Sequence, residues 1–90
     1  MPDITQEVDV INSLGIHARP AAMLVQRMLA FESEIYISYN THRINAKSIM
    51  GLLTLAVGRG SRLMVSCSGP DAEEAMAAAQ EIFASGFGEE

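Results

Sequence analysis

The chain has 90 residues, 49% of them hydrophobic, with seven glycines and three prolines. That length allows a single domain over residues 1–90 around one core, and no segment is biased enough in composition to read as a linker. Six Lys and Arg against eleven Asp and Glu give a formal charge of −5, and the scattered basic residues exclude a nucleic-acid binder that works by neutralising phosphates.

Ile4, Val8 and Val10 alternate with Thr5, Glu7 and Asp9, the period of a strand with one buried face, until Asn12-Ser13-Leu14-Gly15 breaks it. From Ala18 the apolar residues Ala21, Ala22, Val25, Met28 and Leu29 recur at three- and four-residue intervals, which predicts a helix beginning directly after His17. Pro20 suits its first turn, where a missing N–H loses little. Ile35, Ile37 and Tyr39 mark a second strand, Asn40-Thr41 a turn, and His42 to Asn45 a short returning strand.

Ser48 is placed to cap a short apolar helix over 49–55, closed by Gly58-Arg59-Gly60. Leu63, Val65 and Cys67 alternate as a further strand that stops at Gly69-Pro70. Asp71, with Glu74 three residues on, fits the capping box of a last helix whose buried stripe is Ala75, Met76, Ala79, Ile82 and Phe83. The order β-α-β-β-α-β-α predicts an α+β open-faced sandwich, a four-stranded antiparallel sheet covered on one face by three helices.

Gly15-Ile16-His17-Ala18-Arg19-Pro20 sets an imidazole at a helix entrance, where unpaired amides and the positive end of the macrodipole converge. A phosphate carried on His17 would meet the backbone N–H groups of Ala18 and Arg19 and the Arg19 guanidinium; Pro20 has no N–H to offer. The same field favours the neutral ring, a nucleophile before transfer, and the site afterwards stabilises a dianion without burying it.

Gly-Ile-His-Ala-Arg-Pro-Ala at 15–21 and Asn-Ala-Lys-Ser-Ile-Met-Gly at 45–51 resemble HPr, the histidine-containing phosphocarrier family of the bacterial phosphotransferase system. The resemblance covers nearly the whole chain. It implies that enzyme I, charged by phosphoenolpyruvate, phosphorylates Nδ1 of His17, that Arg19 stabilises the phosphate, and that A domains of enzymes II accept the group. In many members the serine matching Ser48 is phosphorylated by HPr kinase/phosphorylase, so Ser48 is a regulatory candidate. Two other readings stand beside the sugar carrier: the carrier of the nitrogen-linked regulatory branch, and an interaction module that signals only through Ser48. On each, the protein is a phosphocarrier or module rather than an enzyme.

Ile49, Met50, Leu52 and Leu53 are too many apolar residues for one short helix to bury, so Ile49, Met50 and Leu53 are candidates for an exposed partner surface. His42 has no neighbour at metal-ligand spacing and is read as a solvated strand residue; neither a metal nor a cofactor is expected. Met1-Pro2-Asp3 lacks a signal-peptide start, no apolar run is long enough to cross a membrane, and the single Cys67 cannot form an internal disulfide, so a cytoplasmic setting is expected. The acidic residues from Asp71 to Glu90 are read as a solvated end, and a monomer as the form able to present one small face to successive partners.

Overall fold

The computed structural model describes residues 3–89; Met1, Pro2 and Glu90, which entered the readings of the two ends, lie outside the described residues. Strand β1 spans Ile4–Asp9, helix α1 Ala18–Met28, β2 Glu34–Tyr39, β3 His42–Asn45, α2 Ile49–Leu55, β4 Arg62–Ser68 and α3 Ala72–Ala84, and a 3₁₀ turn at Gly86–Gly88 follows. The element order and the single four-stranded antiparallel sheet are those predicted, and the strands lie in the order β1-β4-β2-β3.

Alternation decides which face of the sheet is dry. Ile35 pairs with Cys67, Ile37 with Val65 and Val8 with Leu63, and all six side chains are buried beneath the helices. Tyr36, Ser38, Met64 and Ser66 alternate with them on the open face. At the β2–β3 hairpin Tyr39 pairs with His42 across the two residues Asn40-Thr41, and Asn40 takes the left-handed conformation (φ 56°) that a tight hairpin turn requires and that asparagine tolerates.

Helix α1 buries Pro20, Ala21, Leu24, Val25 and Met28. Leu29, expected on that stripe, is instead 60% exposed, because the helix ends at Met28 and Leu29 is its C-cap. In α3 the stripe Ala75, Met76, Ala79, Ile82 and Phe83 is buried as expected.

The capping box at its start does not form. Asp71 makes no side-chain cap hydrogen bond, and its carboxylate accepts from the backbone N–H groups of Glu32 and Ser33, both at 2.9 Å, and from the Ser33 hydroxyl. The loop into β2 thus supplies donors that outcompete the first turn of its own helix. These hydrogen bonds, the Ser33 hydroxyl first and the Glu32 amide next, hold the Asp71 carboxyl below the usual carboxylate range.

A depressed carboxyl contributes stability that is complete above its unfolded-state pKa and is lost as acid titrates it through the lower folded value. We therefore expect Asp71→Asn to lower the urea midpoint at about pH 7, and the gap from the unaltered protein to narrow at about pH 3. A constant gap across that range would show that the carboxylate's charge does not anchor this loop.

Candidate functional site

The site begins with a glycine that nothing else could replace. Gly15 lies at φ +67°, and a Cβ there would collide with the Val57 carbonyl oxygen and approach Gly58 Cα to 2.7 Å. That close approach lets the Ile16 amide donate to the Val57 oxygen at 3.1 Å, while Ile16 and Val57 are both buried. The loop before α1 is thereby fastened to the end of α2, and the next residue is His17.

His17 is the N-cap of α1, with extended backbone (φ −89°, ψ −169°); its carbonyl accepts the Ala21 amide at 3.0 Å and its side chain makes no cap hydrogen bond. The ring is therefore free to act as something other than a cap, and its side chain is 35% exposed. Ala18 and Arg19 occupy the first turn, where amides have no acceptor within the helix. No acidic residue lies in that turn to cancel the macrodipole locally.

A carboxylate from the far end of the chain does reach it. Both oxygens of Glu89 lie 2.9 Å from His17 Nε2, and Arg19 Nη1 donates to Glu89 Oε2 at 2.9 Å. Asn12 Nδ2 donates both to Glu89 Oε1 at 3.0 Å and to the Gly15 carbonyl at 2.8 Å. The hydrogen bond with His17, followed by those from Asn12 and Arg19, holds the Glu89 carboxyl below its ordinary range against the opposing effect of burial. An ionised Glu89 can only accept, so the proton of this contact resides on Nε2.

Glu89 is brought there by Phe87. The 3₁₀ turn places Phe87 in the left-handed region (φ 57°, ψ 26°), and its fully buried ring meets Phe83 edge to face with centroids 5.0 Å apart.

The structure thus joins His17 and Arg19 through Glu89, a residue read from sequence as part of a solvated acidic end. Asn12, read from sequence only as part of the stretch that breaks the first strand, is 1% exposed and holds the carboxylate in place. Neither role has a signal at sequence spacing, since the contacts span 72 and 77 residues. The purely positive site expected from the helix terminus is in fact one with a built-in counter-charge.

Ser48 caps α2, its hydroxyl accepting the Gly51 amide at 3.0 Å. Helices α1 and α2 pack together, but no hydrogen bond among the described residues joins Ser48 to His17 or Arg19. In α2 Leu52 and Leu55 are buried, whereas Ile49 (42%), Met50 (71%) and Leu53 (37%) are exposed. Leu14 is 72% exposed on the loop fastened to α2, an apolar residue that its turn-like setting concealed. Among the described residues no cluster of His, Cys, Asp and Glu is arranged to hold a metal ion, and no helix is long and apolar enough to cross a membrane.

Comparison with known proteins gives one answer at every level. Residues 4–85 match the family described as PTS HPr component phosphorylation site. The phosphocarrier protein HPr of Treponema pallidum (strain Nichols) is 44% identical over 87 residues, covering 97% of this chain and 99% of its own. The crystal structure of HPr-C-His from Thermoanaerobacter tengcongensis superposes with a TM-score of 0.90 at 41% identity, over 100% of this chain and 99% of that one. An HPr dimer from the same organism superposes with a TM-score of 0.78, also at 41% identity, over 91% of this chain and 94% of that one.

Proposed function

Because the chain belongs to the HPr family of phosphotransferase-system phosphocarriers, we propose that Nδ1 of His17 accepts a phosphoryl group from enzyme I and passes it to A domains of enzymes II. The observation that carries this reading is the partly exposed His17 ring at the head of α1, beside Arg19 and the first-turn amides of Ala18 and Arg19. Those donors suit a bound dianion: each amide can supply one charge-assisted hydrogen bond, and the guanidinium has N–H groups beyond the one held by Glu89.

Ile49, Met50 and Leu53 are the apolar surface on which both partners dock, and all of residues 1–90 act as one carrier domain, a cytoplasmic monomer. The dimeric form is a property of the Thermoanaerobacter neighbour. HPr kinase/phosphorylase is the further partner, acting on Ser48. A phosphate there would put a charge of roughly −1.5 to −2 at the edge of the exposed patch, repelling an acidic partner without removing any core contact.

The test is reconstitution with phosphoenolpyruvate, enzyme I and an enzyme II A domain, following the phosphoryl group through the chain. Pairing with the enzyme I of the sugar branch and with that of the nitrogen-linked branch separates the two carriers. For Arg19→Ala we expect acceptance slowed by about ten- to a hundred-fold, the worth of a hydrogen bond to a charged group, with thermal unfolding little changed because the side chain is 58% exposed. An unslowed variant would remove Arg19 from the site.

A further inference from the structure

We propose that Glu89 is a positioning residue for phosphoryl transfer: its carboxylate fixes the Nε2–H end of the His17 ring and balances the positive charge the ring acquires when Nδ1 takes the phosphoryl group. This rests on the carrier reading of His17 and adds to it a residue 72 positions away in the chain.

The geometry allows few alternatives. A carboxylate has only acceptor oxygens, and both oxygens of Glu89 stand 2.9 Å from Nε2, so the ring carries its proton there. In the neutral ring the lone pair then lies on Nδ1, and the ring is held in one orientation by a contact at its opposite side. Among the described residues nothing hydrogen-bonds to Nδ1. Glu89 is itself secured from two directions, by Asn12 at 3.0 Å and Arg19 at 2.9 Å, and by the buried Phe87 two residues earlier. With a side chain only 15% exposed, it is a partly desolvated charge, which strengthens its action on the ring.

The transfer step then balances without a proton leaving His17. The Nδ1 lone pair attacks the phosphorus of the phosphoryl group carried by the donor. The bond from phosphorus to the donor breaks with its electron pair returning to the donor's leaving atom, and the new P–Nδ1 bond forms. Because Nε2 keeps its proton, the His17 ring gains one positive charge as that bond forms. Glu89 faces that charge from the far side of the ring, the part a buried carboxylate plays toward the imidazolium of a hydrolase triad. On release the charge disappears again, so the same contact serves both directions.

Glu89→Gln and Glu89→Ala separate charge from shape. Gln retains an acceptor oxygen for Nε2–H but no charge; Ala retains neither. In the unphosphorylated protein, proton NMR should show the His17 Nε2–H resonance protected from solvent exchange in the unaltered protein and in Glu89→Gln, and lost in Glu89→Ala. With enzyme I and phosphoenolpyruvate, both variants should accept the phosphoryl group about ten-fold more slowly, through a lower kcat rather than a higher KM. Variants that accept within about two-fold of the unaltered rate overturn the proposal. So do variants that accept faster, the result expected if the carboxylate merely competes with the incoming phosphate for Arg19. An unaltered protein that takes no phosphoryl group overturns the carrier reading instead, and the NMR comparison still decides whether Glu89 holds the ring.

Discussion

Replacing His17 by Ala is expected to abolish phosphoryl acceptance while leaving the fold intact. No other described side chain sets a ring nitrogen at a helix start: the second histidine, His42, lies on β3 away from any helix start, and Cys67 is fully buried, with burial pushing its thiol pKa up. The fold should tolerate the change because the His17 ring caps nothing and its backbone carbonyl keeps the Ala21 amide. Glu89 would retain Asn12 and Arg19. Circular dichroism should therefore match the unaltered protein while the rate of acceptance falls to background. Acceptance by His17→Ala at the normal rate would place the phosphoryl group on another residue.

The second large effect is one of stability. Phe87→Ala should cost about 3–5 kcal/mol, the usual range for removing a fully buried phenylalanine, out of the 5–15 kcal/mol that holds a typical domain. Phe87 has no exposed surface and forms an edge-to-face pair with Phe83, so the cavity would open directly under α3. Alanine gives no relief in exchange, since it is no more at ease than phenylalanine at φ 57°.

The same change should reach the site. With the 3₁₀ turn no longer pinned, Glu89 loses the anchor that presents it to His17. Urea unfolding gives the stability, and the protected Nε2–H resonance gives the local effect in the fraction still folded. A cost under about 1 kcal/mol would mean that the turn is held by something other than this ring.

What was legible in the sequence was what is local. The alternation of Ile35, Ile37, Leu63, Val65 and Cys67 declares a sheet with one dry face, and the three- and four-residue spacing of α1 declares its stripe, because side-chain periodicity is a property of a few adjacent residues. His17 with Pro20 at a helix start is local too, and so is Ser48 as a cap. Asp71 shows the limit. Its residue type announces hydrogen bonding to backbone amides, but the amides it serves belong to Glu32 and Ser33, 39 and 38 positions away, and only the tertiary fold chooses them.

Glu89 and Asn12 were hidden for the same reason. An acidic run near the end of a chain and an asparagine in a turn both have ordinary solvated roles, and no spacing rule links either to a histidine 72 residues from the carboxylate. The one clue lay in Phe87 between two glycines, an apolar anchor in an otherwise polar segment. Leu14 was concealed differently, since a turn-forming stretch gives no indication of which of its residues faces out.

The most direct test of the account is the intact mass of the unaltered protein after incubation with phosphoenolpyruvate and enzyme I, read before and after an acid wash that hydrolyses phosphohistidine and spares phosphoserine. The expected result is the gain of one phosphate that disappears in acid. No gain with enzyme I of either branch, or a gain that survives the acid, would contradict His17 as the carrier of the phosphoryl group.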